Sequence, residues 1–276
     1  MSTRDAILSC APVSYWPLDD AASATMVHDE MGLHSGKVAD SGVYLAVVPF
    51  GPIFTPVFDG AQGSLITIPD DERYSHTYAN ALTVACWICP LALNFGHTDG
   101  STDQYVHFVE KAVRYDQDAE WAMRLYNADS SRPSRLSFYL FNAGSPVGKG
   151  AGAFMEYGLS ANDQTPVELG RWLFLVGQGE SWVDDTSKLT GAVFYKQAIQ
   201  AIRSPGDKYN NPPHWNVRPH HSPGRIAIGG SIDKTAFRGA VAHVALWNRL
   251  LTATEIEGIW SAGLTELRLT PMYRPY

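Results

Sequence analysis

The chain has 276 residues, of which 45% are hydrophobic and 18% are charged. This composition is ordinary for a globular protein with a sizeable core, so we expect the body of the chain to be folded. Its 21 basic and 28 acidic residues give a formal net charge of −7. Nucleic acids and anionic membranes attract concentrated positive charge, and the basic residues are scattered here, so both are disfavoured as partners.

The start of the chain, residues 1–12, combines acidic Asp5 with an apolar run that is too short for a signal peptide. No stretch approaches the ~20 apolar residues of a membrane span. We therefore expect no membrane insertion. If the protein works outside a cell, it would leave by another route or as part of a larger particle, and a cytoplasmic location stays open.

Short segments of alternating or β-branched residues recur along the chain, separated by clusters of Gly, Pro, Asn and Asp. About nine such strands predict an all-β, two-sheet antiparallel sandwich. The predicted strands are 64–68, 82–89, 106–111, 120–126, 136–141, 172–178, 191–196, 225–229 and 240–247.

Two of the three cysteines, Cys86 and Cys89, lie in one predicted strand. Three residues apart in a strand, they point to opposite faces at roughly 10 Å from each other, which is too far for a disulfide. We expect all three cysteines to be buried and structural.

One helix is predicted near the C-terminus, where Thr252 and Glu255 have the spacing of a capping box. Gly263 is placed to end this helix. We therefore divide the chain into one domain, residues 1–264, and an extended tail, residues 265–276. The apolar residues with helical spacing are Ile256, Ile259 and Trp260.

Several motifs, in chain order, resemble the laminin G-like branch of the concanavalin A-like superfamily. They cover an opening strand and turn, a hairpin, a strand with a central Trp, a later strand that begins near a Trp, and a closing run before the helix. The resemblance implies a jelly-roll fold and a binding role in which a glycan is the favoured ligand. The motifs are 12–20 with 28–36, 58–60 with 65–69, 82–90, 171–177, and 226–229 with 237–251.

The opening, Asp5–Leu8 ahead of Pro12–Trp16, also resembles laminin G-like modules in tail or fibre proteins of bacterial viruses. This looser similarity implies a virion component, which is released without secretion. Other protein subunits of such an assembly are then expected partners beside the glycan.

The best candidates for sugar binding lie on a long loop: Tyr209, Asn210, Asn211, His214 and Trp215. An aromatic ring stacks against the apolar face of a sugar, and amides suit its hydroxyl groups. The competing interpretation is that Trp215 packs the loop onto the sandwich, because large aromatic residues are more often buried.

Calcium needs hard oxygen ligands on turns, and Asp29 lies on the first turn, where related proteins often place a ligand. The sequence therefore predicts a structural calcium ion at Asp29, and a solvated acidic turn is the competing interpretation. This chain departs from the closing motif of the laminin G-like proteins at Ala242 and His243, two positions where those proteins commonly have acidic residues. For a second acidic set we favour a solvated turn over a calcium site; its members are Asp116, Asp118 and Glu120. For a set of histidines we favour a solvated loop over a zinc site; its members are His214, His220 and His221.

Glycoside cleavage needs two carboxylates, which jelly-roll glucanases carry as Glu-x-Asp-x-x-Glu, and this string is absent. We therefore predict that the chain is not an enzyme. Two alternatives stay open. One is a structural module that contacts partner chains, and the other is a polysaccharide-cleaving enzyme that uses a base such as His107, His243 or Tyr139.

Overall fold

The fold is taken from a computed structural model that describes residues 1–21, 23–47, 54–114, 118–143, 150–159, 162–163, 165–181, 190–201 and 217–268. Within these residues, two antiparallel sheets pack face to face, and two α-helices lie against one of them. The predicted all-β jelly-roll sandwich is therefore confirmed.

The first sheet contains β1 (Ser14–Trp16), β4 (Val43–Val47), β5 (Phe54–Asp59), β7 (Ala81–Pro90), β12 (Leu173–Ser181), β13 (Thr190–Lys196), β14 (Ile199–Gln200) and β16 (Arg238–Trp247). Its strand order is β14-β13-β12-β7-β16-β5-β4, and β1 pairs with β16.

The second sheet contains β2 (Met26–Val27), β3 (Gly36–Val38), β6 (Ile66–Ile68), β8 (Tyr105–Ala112), β9 (Trp121–Tyr126), β10 (Leu136–Phe141), β11 (Gly150–Met155) and β15 (Arg225–Ile228). Its order is β11-β10-β9-β8-β15-β6-β3-β2.

All nine predicted strands form, with bounds that differ by a few residues, and β10 has the predicted bounds. The additional strands are mostly short or rich in glycine, so their sequences carry a weak alternation. The predicted hairpin between residues 58–60 and 65–69 is wrong, because β5 pairs with β4 and β16 whereas β6 pairs with β3 and β15. The chain crosses between the sheets at this point.

The main core fills the space between the two sheets, and alternation along each strand decides which side chains enter it. On β7, Cys86 points into this core, whereas Cys89 and Trp87 point to the opposite side. All three cysteines are buried and free, as predicted. On β10, the predicted inward set lies in the main core: Leu136, Phe138 and Leu140.

Two α-helices are described, α1 (Thr3–Ser9) and α2 (Ala253–Arg268). The capping box predicted for α2 is present, with the Thr252 amide donating to Glu255 and the Glu255 amide donating to Thr252 Oγ1. The prediction that Gly263 ends this helix is wrong. An added Cβ at Gly263 would lie 2.1 Å from the Trp87 ring, so this glycine permits close packing of the helix on the sheet.

Helix α1 was not predicted, because its seven residues are too few to show a helical period. A second apolar layer joins both helices to the outer face of the first sheet, and it includes Trp87, Phe174 and Trp247. The two helices also contact each other, where the Thr3 amide donates to Glu266 at 3.1 Å. Neither described helix has both the length and the apolar character that a membrane crossing requires.

Candidate functional site

The outer face of the second sheet carries polar and aromatic side chains rather than a layer of helix. On β9, Trp121, Met123 and Leu125 point into the main core, so Arg124 points outward. Arg124 lies opposite Ser137 of β10 on one side and opposite His107 of β8 on the other. The strand register therefore brings residues that are distant in sequence onto one face.

Arg124 lies at the centre of a cluster of aromatic rings. Its guanidinium carbon is 3.9 Å from the ring centre of Tyr139, 4.5 Å from that of Tyr105 and 5.2 Å from that of Phe141. Each such contact contributes about 0.5–2 kcal/mol, more when the cation is desolvated. Arg124 is only 2% exposed, while Tyr139 is half-buried. We call Arg124 with Tyr105, Tyr139 and Phe141 the arginine cage.

An acid–base pair lies beside the arginine cage. The His107 imidazole Nδ1 hydrogen-bonds with Glu110 Oε2, and both side chains are fully buried. Burial lowers the pKa of His107, although Glu110 opposes this effect. Glu110 Oε1 also accepts a hydrogen bond from the Ile232 amide at 3.2 Å. This pair therefore fixes the loop around residue 232 against the sheet.

Two further arginines form a more exposed rim beside the cage. The Arg135 guanidinium carbon lies 3.9 Å from the ring centre of Phe154, and its Nε donates to Glu156 at 2.7 Å. Arg132 pairs with Asp103 at 3.1 Å and keeps 27% of its side chain exposed. The rim therefore adds two ion-paired arginines, of which Arg132 is the more exposed.

An open groove occupies the other half of the same outer face. It has a volume of about 420 Å³ and lies over β2, β3, β6 and β15. Two exposed cations, Lys37 and Arg225, line it together with the hydroxyl-bearing Ser35 and Thr67. Pro69 and Pro223 add apolar surface to the lining. The groove therefore offers charged, hydroxyl and apolar groups within one concavity.

One carboxylate, Asp70, also lines the groove, but a buried lysine offsets its charge. Lys111 Nζ lies 2.8 Å from Asp70 Oδ1, and it also donates to Glu120 and to the Ser222 carbonyl. His221 Nε2 is 3.6 Å from the other oxygen of Asp70. These interactions hold the end of β15 against β8.

The predicted sugar-binding residues, Tyr209, Asn210, Asn211, His214 and Trp215, lie outside the described residues. On the C-terminal side of these residues, the Arg218 amide donates to Asn142 Oδ1 at 2.9 Å. Asn142 directly follows Phe141 of the arginine cage. The C-terminal flank of the predicted loop therefore meets the chain beside this face.

The Asp29 carboxylate, predicted to bind calcium, organises the turn that follows it. It accepts hydrogen bonds from the Ser14 hydroxyl at 2.8 Å and the Tyr15 amide at 2.9 Å. Three amides of the turn also donate to it: Met31, Leu33 and His34, at 3.0, 3.0 and 3.2 Å. These five bonds account for the burial of the carboxylate, and calcium at this site stays a prediction.

The other candidate residues separate in space. Asp116 lies outside the described residues. Asp118 is exposed, whereas Glu120 is buried against Lys111, so the solvated acidic turn expected there is wrong for Glu120. His220 is half-buried, and burial lowers its pKa. His243 lies far from the arginine cage, where its Nδ1 hydrogen-bonds with the Tyr15 hydroxyl at 2.7 Å.

One group of potential metal ligands occurs among the described residues, formed by Asp19, Asp20 and His28. His28 Nδ1 is 2.6 Å from Asp20, and His28 Nε2 is 2.7 Å from Glu30. The hydrogen bond with Asp20 raises the pKa of His28. Both ring nitrogens of His28 therefore already have carboxylate partners in this network.

Sequence reasoning missed Arg124, Arg132 and Arg135, although alternation along β9 and β10 would have placed Arg124 on the outer face. Lys37 and Arg225 carried no local signal, since strand pairing alone joins them.

No family model matches the chain, and no curated protein matches it. Solved structures do resemble it. The binding domain of botulinum neurotoxin serotype D has a TM-score of 0.60 and 11% identity, covering 94% of this chain and 53% of that one. The type G domain gives 0.57 and 14%, covering 91% and 51%. A Trypanosoma rangeli sialidase gives 0.54 and 16%, covering 91% and 32%.

This chain has a jelly-roll sandwich fold. At these identities the likeness concerns the fold, and the chain spans about half the length of the neurotoxin domains. One serotype D domain was solved in complex with N-acetylneuraminic acid. The laminin G-like and phage-tail resemblances stay predictions.

Proposed function

We propose that this chain is a non-catalytic, lectin-like carbohydrate-binding module whose ligand lies on the outer face of the second sheet. The observation that carries the proposal is the juxtaposition, on this one face, of the half-buried Tyr139 of the arginine cage, the partly exposed Arg132 and an open groove. Ligand sites are concave and combine apolar or aromatic surface with a few placed polar groups. A sugar supplies the matching apolar ring face and hydroxyl groups.

The likeness to solved structures supports this function. A serotype D neurotoxin domain of the same fold, with a TM-score of 0.57 and 11% identity, was solved with N-acetylneuraminic acid. A fold alone does not carry a function, so the proposal rests on the face described above.

We also propose that the loop around Trp215 completes the site. Its described flank meets Asn142 beside the arginine cage. Trp215 would then stack on a sugar at the edge of the face, with Tyr209, Asn210, Asn211 and His214 as polar neighbours.

The wider context that we propose is an extracellular or virion assembly, such as a phage tail, in which this laminin G-like module contacts other subunits. The ordered motifs and the opening segment support it. Calcium at Asp29 belongs to the same proposal and is tested by adding a chelator.

The experiment is a glycan array that includes bacterial surface polysaccharides, run with calcium and with chelator. Tyr139→Ala and Trp215→Ala are each expected to weaken binding about tenfold, because each removes an aromatic contact. Tyr78→Ala is the matched control, since this tyrosine is 51% exposed in a 3₁₀ turn and belongs to neither the arginine cage nor the groove lining. Absence of glycan binding under every condition, or an equal loss in the control, contradicts the proposal.

One observation favours a polysaccharide-cleaving enzyme as the second candidate, because His107 and Tyr139 both lie beside the cationic Arg124. His107 and Glu110 are fully buried, however, so a substrate proton has no path to either group. We therefore expect no new chain ends when a bound polysaccharide is incubated with the protein. If the wild-type protein cleaves the polysaccharide and His107→Gln does not, the protein is an enzyme and the binding-module proposal is wrong.

A purely structural module is less well supported. Large exposed apolar side chains among the described residues are scattered over separate elements, for example Leu8 on α1, Tyr78 on a turn and Ile199 on β14. Protein interfaces are built on contiguous patches.

A further inference from the structure

The groove on the second sheet is framed by side chains from three neighbouring strands. Lys37 of β3 pairs in register with Thr67 of β6, and Thr67 pairs with Ala227 of β15. Arg225 lies two residues before Ala227 and therefore points to the same side of the sheet. Lys37 and Arg225 thus flank Thr67 from opposite sides of the groove.

The charge of this groove is unbalanced. Neither Lys37 nor Arg225 forms an ion pair with another residue in the described parts of the chain, and both are exposed. Asp70, the carboxylate in the lining, lies 2.8 Å from the buried Lys111, which it shares with Glu120. These three cations and two carboxylates leave the groove with a net positive charge, on a protein whose formal net charge is −7.

The remaining lining suits a sugar rather than a bare ion. The Ser35 and Thr67 hydroxyls can donate to and accept from ring hydroxyl groups, while Pro69 and Pro223 offer apolar surface to a ring face. A volume of about 420 Å³ lies within the range of small-molecule sites. A guanidinium matches the geometry of a carboxylate through two parallel hydrogen bonds.

We infer that the groove is a subsite for an acidic sugar, whose carboxylate is held between Arg225 and Lys37. The inference rests on the proposed function and specifies its ligand class as a carboxylate-bearing glycan. Thr67 and Ser35 orient the ring, and the arginine cage lies further along the same face for the neighbouring sugars of a chain.

The test compares two glycan pairs that differ in the carboxylate: sialyllactose with lactose, and oligogalacturonate with its carboxyl-reduced form. Binding is measured by calorimetry with the wild-type chain, Arg225→Gln, Lys37→Gln and Arg171→Gln. Arg171→Gln is the matched control, because it removes the same charge from a 72% exposed side chain that pairs with Glu168.

We expect at least one acidic glycan to bind more tightly than its neutral partner. Arg225→Gln and Lys37→Gln should each lower that affinity about tenfold or more, since each removes a hydrogen bond between charged groups. The Arg171→Gln control should bind like the wild type, and added salt should weaken binding of the acidic form. Unchanged thermal unfolding midpoints establish that the variants are folded.

Two results separate this inference from the proposed function. If neutral and acidic partners bind equally and Arg225→Gln has no effect, the acidic subsite is wrong while the glycan-binding module stands. If Arg171→Gln loses as much affinity as Arg225→Gln, the attraction is a property of the total charge, and the subsite is again wrong. If no glycan on the array binds, the proposed function itself fails.

Discussion

The two outer faces of the sandwich differ in what covers them. On the first sheet, outward residues such as Trp87 and Trp247 are apolar, and helices α1 and α2 bury them in a second core. On the second sheet, outward residues are charged or aromatic, as Arg124 and Lys37 are, and no described helix lies over them. One face therefore stabilises the fold, and the other is the face that the proposed function assigns to recognition.

This difference shows how a strand's sequence assigns its outer face. A strand that is apolar on both sides must be packed against other elements on both sides. On β12, Leu173 and Leu175 lie in the main core, while Phe174 and Val176 lie beneath the helices. A strand that alternates, as β9 does around Arg124, needs apolar packing on one side. We therefore expect substitutions on the first face to lower the free energy of unfolding, and substitutions on the second face to weaken glycan binding.

The largest expected effect is that of Trp247→Ala under the helices. Trp247 is fully buried, and its Nε1 donates to the Cys10 carbonyl at 3.0 Å. Truncating a buried tryptophan should lower the free energy of unfolding by about 3–5 kcal/mol. Urea denaturation measures this loss, and glycan affinity of the folded fraction should not change. A loss of about 0.5 kcal/mol, typical of surface sites, would sink the idea of a second core.

Gly263→Ala tests the close approach of α2 to the first face. The added Cβ would meet the Trp87 ring, which is held against Phe174 with 5.1 Å between ring centres. Overpacking of this kind should cost about 1–3 kcal/mol. Gly258→Ala on the same helix is the control, since its Cβ meets nothing within 4 Å. It should instead stabilise the protein by about 0.5–1 kcal/mol, and equal effects at both glycines would contradict the packing argument.

A pH dependence of comparable size should arise in the sandwich itself. His76 is 4% exposed, and burial lowers its pKa from 6.5 to about 4. The folded state therefore binds this proton less readily than the unfolded chain, so stability is complete above pH 6.5 and is lost as the pH falls towards 4. We expect His76 to account for about 1–2 kcal/mol lost between about pH 7 and pH 5.

Urea titrations at several pH values, with His76→Gln beside the wild type, measure this contribution. A wild-type pH profile that keeps its full slope in the variant would assign the loss to other groups. The same measurement shows whether weaker glycan binding at low pH comes from unfolding of the protein rather than from a change at the second face.

The smallest stability effect belongs to the groove. Lys37→Gln removes an exposed charge that pairs with no other described residue, so the free energy of unfolding should change by less than about 0.5 kcal/mol. The same variant should weaken binding of an acidic glycan. If Lys37→Gln lowers the free energy of unfolding and leaves glycan affinity unchanged, Lys37 stabilises the fold and does not belong to the binding site.

Much of the fold was predictable because it depends on short-range patterns. Alternation along residues 136–141 fixed the bounds and the inward side of β10, and Thr252 with Glu255 marked the start of α2. The separation of Cys86 from Cys89 followed from the two-residue period of a strand. Each of these properties is local, so neighbouring residues suffice to determine it.

The candidate site was predictable only in part. The loop from Tyr209 to Trp215 stood out by composition, yet the arginine cage needs Tyr105, Arg124 and Tyr139 from three strands whose pairing no local pattern specifies. The sequence by itself determined nine of the described strands and which sides of them are apolar, because alternation is a local property. Tertiary structure decided that Gly263 lies against Trp87 rather than ending α2, and that Lys37 and Arg225 share one groove, because strand order and register depend on contacts between distant segments.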